Sequence, residues 1–517
     1  MKKLLITIFT TLLAIVSNGQ QWIKTYCDTG EYGGVFAVET YDKGFLIGGA
    51  ANSGKENSIL YKTDVNGNIL WQRNIGTSGS NTNITAICTT PDGGCAIVGE
   101  ISKANALNEA FLLKLNACGE MDWAKRFHEN ASVTTTSVNL MKDGGFIFNL
   151  QIDSQTFTYA NPGWVCRCDK NGNLLWSVYK KYQPVNLFVD DSDKIILTGF
   201  YEYVSTINGG SQIPTSIIYV DILDSNGMQL MQTATTGIVE QGQKTLPAPD
   251  GTYLTFGFEY FSHYFVDMFL WNNSGHLIGY KSLGDTDNGY KMGDLPSDFI
   301  RVGNSSYILM YSRLEEDLSD YNYYYKGMRL QKTTSDTFIS KDTTYTLGFD
   351  VQPVTINATT DGKYIISGHV ITGHDITTGI YVAKINSNLE PDSFYQTKYN
   401  YDYLCSSMQD TGTILLDNSP LKDLAIDENM KPEAAFSIYP NPARDFIELS
   451  CSGLTEGAVQ FSLYNILGVN VISFDFRTAG NGNLNQQIDL QNIPAGFYIV
   501  ELDQGDKRLV QKLMIEK

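Results

Sequence analysis

This sequence is poor in the residues that most often carry chemistry. Its 517 positions hold only five histidines, and its eight cysteines form no Cys-x-x-Cys pair, so a zinc framework has no scaffold and no metal is expected. There is no His-Glu-x-x-His, no Gly-x-Ser-x-Gly and no Walker-type phosphate loop. Apolar residues seldom recur at spacings of three and four, and runs rich in Ala, Leu, Glu and Lys are nearly missing, which argues against a helical domain. Basic residues are in deficit, 37 against 56 acidic, for a net charge of −19. Such a surface repels nucleic acid and anionic membranes, both bound mainly through Lys and Arg, so no nucleic-acid partner is expected. Beyond Val16 no apolar run approaches the ~20 residues that cross a bilayer, so no transmembrane segment is expected either.

What is abundant points to strands. The chain has 31 Tyr, 25 Phe and 47 Gly, a composition of β-structure and turns, and the fold class reads as all-β. Met1-Lys-Lys and the apolar run Leu4 to Val16 read as a signal peptide over residues 1–19, with Ser17-Asn18-Gly19 placing cleavage between Gly19 and Gln20. Cys88 and Cys95 flank a Thr-Thr-Pro-Asp-Gly-Gly turn and are candidates to pair across a hairpin. Cys166 and Cys168, two apart on one strand face, are poorly placed to pair with each other.

An internal repeat fills the first four hundred residues. One unit is a turn followed by a short apolar strand, usually closed by Gly: Asp42-Lys-Gly-Phe-Leu-Ile-Gly-Gly49, Asp92-Gly-Gly-Cys-Ala-Ile-Val-Gly99, Asp143-Gly-Gly-Phe-Ile-Phe148, Asp193 to Gly199, Asp250 to Gly257, Ser306 to Met310, Asp361 to Gly368 and Gly412 to Leu416. A second unit follows the first seven copies, clearest in Ile59-Leu-Tyr-Lys-Thr-Asp-Val-Asn-Gly-Asn-Ile-Leu-Trp71, and again at Phe111 to Trp123 and Trp164 to Trp176. Its form, strand, Asn-Gly turn, strand, is a hairpin signal. Two hairpins per about fifty residues give four strands per repeat, the unit of a β-propeller. Trp22 to Tyr26 resembles an orphan fourth strand, and the copy at Gly412 lacks one. Pairing the two ends would close a ring of eight blades, with seven as the alternative. The region, taken as 20–420, resembles the loosely repetitive propellers of secreted Bacteroidetes proteins.

A polar linker, 421–434, separates this region from a tail of different pattern, 435–517; Leu421 to Ile426 could instead be a last propeller strand. The tail reads Phe436-Ser-Ile-Tyr-Pro-Asn-Pro-Ala-Arg-Asp-Phe-Ile-Glu-Leu449, then Phe461 to Gly468, Ile493-Pro-Ala-Gly-Phe-Tyr-Ile-Val500 and Leu509 to Lys517. Alternating strands between turns imply a small Ig-like β-sandwich. In this order the set resembles the type A C-terminal sorting domain of the type IX secretion system. The matching residues are Tyr439, Pro440, Asn441, Pro442, Gly468, Pro494, Gly496, Tyr498, Lys512 and Lys517. The resemblance implies the type IX machinery and its sortase as partners, export through the periplasm, and release or attachment at the outer-membrane surface.

The propeller itself offers few chemical candidates, and no cofactor is expected. His369, His374 and Asp375 lie together in what reads as a loop, where solvated side chains are the ordinary case and a metal the exception. Asp64-Val-Asn-Gly-Asn68, Asp169 to Asn173 and Asp224 to Gly227 look like calcium loops but read as hairpin turns. Lys62, Lys114, Arg167 and Lys384 recur at one position and read as solvated strand residues, or else as a cationic ring for an anionic glycan. Tyr321 to Tyr325 and Tyr399 to Tyr403 are candidate sugar-stacking platforms. The expectation is a non-catalytic module binding glycan or surface protein. The alternative is a polysaccharide hydrolase or lyase using carboxylates from separate blades.

Overall fold

A computed structural model of the chain describes residues 21–26, 31–52, 57–103, 106–153, 161–206, 212–235, 240–261, 263–282, 295–303, 306–317, 322–334, 339–345, 350–372, 376–401, 403–405, 410–423, 435–439, 441–452, 457–465, 468–478, 484–504 and 507–517. The chain divides into two compact units, Met1–Asp423 and Leu424–Lys517.

In the first unit, alternating apolar residues and Asn/Gly turns give antiparallel strands. β1 (Ile23–Tyr26) precedes the first complete blade of β2 (Glu31–Glu39), β3 (Phe45–Asn52), β4 (Ser58–Thr63) and β5 (Ile69–Gly76). Blade two is β6 (Asn81–Thr89), β7 (Cys95–Ser102), β8 (Glu109–Leu115) and β9 (Met121–His128). Blade three is β10 (Ser132–Leu140), β11 (Phe146–Asp153), β12 (Gly163–Cys168) and β13 (Leu174–Lys180); blade four is β14 (Gln183–Val189), β15 (Ile195–Thr206), β16 (Gln212–Leu223) and β17 (Gln229–Ala234). Blade five is β18 (Glu240–Pro247), β19 (Tyr253–Phe261), β20 (His263–Trp271) and β21 (Leu277–Ser282); blade six is β22 (Leu295–Val302), β23 (Ser306–Asp317), β24 (Asn322–Thr334) and β25 (Ile339–Tyr345). Blade seven has β26 (Asp350–Ala358), β27 (Tyr364–Thr372) and β28 (Ile376–Ile385), and takes β1 as its fourth strand. The first strand of each blade packs on the first strand of the next, and β26 packs on β2, so the described sheets close a seven-bladed propeller.

Trp22 to Tyr26 is therefore the missing fourth strand, but its partner is β28, with Ile23 opposite Ala383. The eighth copy forms no blade. After the turn at Asn386–Glu390, β1 occupies the place of a fourth strand, and the chain leaves as a strap. The strap ends in β29 (Thr411–Leu415), parallel to β5, and β30 (Leu421–Asp423), parallel to β9. Gly412 to Leu416 thus becomes a fifth strand on blade one, and Leu421 to Asp423, read as linker or last strand, a fifth strand on blade two.

Every first strand carries a β-bulge at the same level, between Gly33 and Phe36, Ile84 and Ala86, and so on to Pro353 and Thr355. This explains the glycine that closes the repeat's apolar strand. At Gly99, Gly199 and Gly368 a Cβ would lie 2.2 to 2.4 Å from the carbonyl of Asn83, Gln183 or Gln352 on the bulged neighbour. The repeat's Trp also finds its partner: Trp71, Trp123 and Trp176 lie against the turn glycine of the following blade, Gly119, Gly172 and Gly227.

Cys88 and Cys95 do not pair across their hairpin; they are free, as are the buried Cys166 and Cys168. Cys88 stands opposite Ala96 and Cys95 opposite Thr89, one step out of register. The disulfide instead joins Cys118, in the β8–β9 turn, to Cys405 in the strap.

The second unit is a sandwich of a three-stranded sheet, β31 (Ala435–Tyr439), β32 (Phe446–Ser452) and β35 (Leu484–Asp489), and a four-stranded one, β33 (Gly457–Asn465), β34 (Asn470–Thr478), β36 (Gly496–Gln504) and β37 (Lys507–Ile515). Ile447, Leu449, Phe461, Leu463, Val500 and Leu513 share its core.

Candidate functional site

The recurring cations are neither solvated nor a ligand-binding ring. Each is buried and pairs with the turn aspartate of its own blade: Lys62 with Asp42 at 2.5 Å, Lys114 with Asp92 at 2.8 Å, Arg167 with Asp143 at 2.5 Å and Lys384 with Asp361 at 2.9 Å. Both halves of each pair come from the two repeat units, the Asp of the first and the cation of the second. Burial pulls the Lys62 ammonium down, partly offset by Asp42. Burial opposes ionisation of Asp92 and Asp143, yet their hydrogen bonds hold both below the usual carboxylate range. Blades four and five place Ile222 and Leu270 at this position.

The calcium-like turns are hairpin turns. Asp64 Oδ1 accepts from the backbone N–H of Asn66 and Asn68, both at 2.8 Å, and Asp169 and Asp224 do the same in their turns. Asn116, Asn272 and Asn386 make the identical bonds without charge. No group of three metal-ligating side chains occurs among the described residues.

His369 does not sit in a loop but within β27, opposite Gln352 and Ile380; it is buried, its Nδ1 has no partner, and burial pushes its pKa down to about 4. His374 and Asp375 lie outside the described residues. Tyr323 to Tyr325 belong to β24 instead of a loop, with Gln352 donating to the Tyr325 hydroxyl at 3.0 Å, while Tyr321 lies outside the described residues.

One cleft remains that joins separated parts of the ring. Glu39, Lys43 and Val65 of blade one, Thr360, Asp361 and Lys384 of blade seven, and Tyr395 and Tyr399 of the strap line it. It lies where the β2–β3 and β26–β27 turns meet the strap. The strap is seated by Asn66, whose amide donates to the Tyr395 carbonyl at 2.9 Å and accepts from the Tyr395 N–H at 2.7 Å. The Tyr401 hydroxyl accepts from the Val65 N–H at 2.8 Å, and burial pushes that phenol up to about 12.

The charged groups of the cleft are already engaged. Lys384 bonds Asp361 and lies 4.5 Å from the Tyr395 ring centroid. The Tyr395 hydroxyl donates to Asp361 and lies 3.0 Å from Asp392, which accepts from Lys363 at 2.7 Å. Burial and these carboxylates push the Tyr395 phenol up; burial opposes but Lys384, Thr359 and Tyr395 hold Asp361 below the carboxylate range. Lys43 bonds the Thr360 hydroxyl, and Glu39 accepts from the Thr360 N–H at 2.7 Å. The cleft thus offers half-exposed tyrosine beside the Asp361–Lys384 pair, with Glu39 and Lys43 both bound to Thr360. Tyr399, Tyr403 and Leu404 are exposed along the strap, Tyr403 at 78%. Beyond the Tyr399–Tyr403 run this cleft has no signal in the sequence, because the strap that roofs it has no repeat pattern.

In the second unit, Asn441 spans to β37: its Nδ2 donates to the Lys512 carbonyl at 2.8 Å and its Oδ1 accepts from the Met514 N–H at 2.9 Å. Ala443 and Ile515 bridge in parallel just beyond. Lys517 Nζ donates to the carbonyls of Leu490 at 3.0 Å and Gln491 at 2.9 Å. The Tyr498 hydroxyl donates to the Pro494 carbonyl at 2.9 Å, and Gly468 ends the Asn465 turn at positive φ. Gly496 opens β36, and Pro442 and Lys512 are exposed. Tyr439 ends β31, and Pro440 lies outside the described residues. The motif and the terminus are thus two edges of one hydrogen-bonded seam.

The fold and this seam define an all-β chain of a seven-bladed propeller unit and a C-terminal sandwich unit. Residues 437–516 match the family model of the secretion system C-terminal sorting domain. The tail is a type IX secretion sorting domain, and the protein is exported by that route in Bacteroidetes, to be attached at the surface or secreted. No curated relative matches the chain. Similar solved structures include the β-propeller domain of the Trilobed protease from Pyrococcus furiosus, at 10% identity and TM-score 0.40 over 70% of this chain and 99% of that one. The polysaccharide lyase Uly1 reaches 8% and 0.43 over 71% and 99%. A protein of unknown function from Bacteroides caccae reaches 10% and 0.34 over 57% and 92%. The strand topology by itself defines the propeller.

Proposed function

We propose that this chain is made with a signal peptide over residues 1–19, is exported by its sorting domain, and leaves residues 20–420 outside the cell as a non-catalytic glycan-binding module. The sorting elements would be the seam of Asn441, Ala443 and Lys517 with the turns at Gly468 and Pro494. The observation that carries the binding reading is the cleft between blades one and seven. Asp361 is paired with Lys384 and both Glu39 and Lys43 hold Thr360, so the cleft favours an uncharged, hydroxyl-rich ligand over an ion, and the exposed Tyr399 offers a ring for stacking. Asp361, held below the usual carboxylate range by Lys384, Thr359 and Tyr395, is not poised there as an acid.

The test is retention of the secreted chain on immobilised neutral polysaccharides and on matrix proteins, with soluble fragments followed in the same wells. Saturable retention on a glycan without fragments, weakened about tenfold by Tyr399→Ala, is expected. Retention on protein alone would change the ligand class. Fragment release that survives repurification would replace this reading with that of a hydrolase or lyase.

A further inference from the structure

We propose that the Cys118–Cys405 disulfide is the latch of the strap, so that the cleft is fully assembled only in the oxidised, exported chain; this rests on the cleft being the ligand site.

Two of the cleft's walls, Tyr395 and Tyr399, belong to the strap and not to a blade. Among its described residues the strap has no ladder partner between Ile385 and Thr411, apart from the bridges of Pro391 and Ser393. Near blade seven it is held by Asp392 and Tyr395 on Lys363 and Asp361, by Phe394 against Trp22 and by the Asn66 pair, and farther on by Tyr401 on Val65, by Leu404 lying over Gly93, and by the disulfide. Only the last is covalent. It closes a loop of 287 residues, joining blade two to the chain that has just left blade seven. In the folded ring the strap is anchored near Ile385 and Thr411, and the covalent link restricts the conformations this stretch can reach when its weak contacts break.

Thiols are kept reduced in the cytoplasm and oxidised outside it, so export itself sets the latch. Cys88, Cys95, Cys166 and Cys168 do not compete for it. Each lies within a blade, and burial pushes its thiol up, Cys88 and Cys168 to about 12, so little thiolate forms for exchange.

The experiment is hydrogen exchange on the full secreted chain: oxidised, under graded reductant, and as Cys118→Ser/Cys405→Ser. Loss of the latch should speed exchange of the amides of Tyr395 and Leu416 about tenfold, with β7 and β27 unchanged. Equal strap protection with and without the bond would overturn the latch. Graded reductant on the native chain gives the same reading should the double variant fail to fold. Retention on neutral polysaccharide is measured on the same samples. Retention lost together with strap protection supports the proposal, and retention that survives strap release overturns the coupling. An oxidised chain that binds no glycan but shows the tenfold strap change supports the latch and overturns the glycan reading.

Discussion

The indole Nε1 of Trp22 donates to the carbonyl of Val65 at 2.8 Å, across the seam between blades seven and one. Trp176 makes the same bond to Ser225 between blades three and four, at 3.1 Å. The ring therefore closes with the contact that joins blades three and four, although here the donor comes from the start of the chain. Tyr26 adds a bond to the Gly67 carbonyl at 2.7 Å.

Trp22→Ala removes a fully buried indole and this bond together. A loss of about 3–5 kcal/mol is expected, read as a lowered urea midpoint. Exchange of the β28 amides should rise with it, because β1 is their only outer neighbour.

The buried pairs should differ by how wet the acid is. Asp42 is 1% exposed and Asp92 56% exposed at the side chain. Lys62→Met leaves a buried carboxylate without its cation, with only the Thr40 hydroxyl and the Gly44 N–H on it, and should cost about 3–5 kcal/mol. Lys114→Met leaves one that water can solvate and should cost about 1 kcal/mol. Equal costs in urea unfolding would contradict this account.

Gly172 and Gly251 both have positive φ, 76° and 84°. A Cβ at Gly172 would lie 2.5 Å from the Trp123 ring, while nothing lies within 4 Å of one at Gly251. Gly251→Ala should cost about 1–2 kcal/mol for backbone strain, and Gly172→Ala a further 1–3 kcal/mol or so for the displaced indole.

His369 is held near pKa 4 by burial, against 6.5 when exposed. As pH falls the unfolded chain takes up the proton first. Stability present above pH 6.5 therefore declines through the window down to pH 4 and levels below it, a loss of about 3 kcal/mol. The difference between the native chain and His369→Gln in urea midpoint against pH should show this slope.

Asn441→Ala removes both side-chain bonds that tie the Tyr-Pro-Asn-Pro segment to β37. A destabilisation of about 1–3 kcal/mol is expected for the sorting unit. Cell fractionation should then find more protein in the periplasm and less outside.

Much of this architecture is written locally. The turns recur because every blade is built from the same hairpins, and the Asp of one unit and the Lys or Arg of the next recur together in blades one, two, three and seven. The terminal motif was equally readable, since its prolines, turn residues and alternating strands lie close in sequence. What local pattern cannot express is which distant elements meet. The copy at Gly412 has the apolar rhythm of a blade strand, yet β1 already fills the last open edge, so it adds in parallel to β5 instead. Lys62 carries the same residue type and spacing whether it faces water or Asp42, and only the folded turn buries it. Cys118 and Cys405 have no sequence relation to each other. They meet because a closed ring brings the end of the chain back over its beginning, and the cleft beneath the strap exists for the same reason.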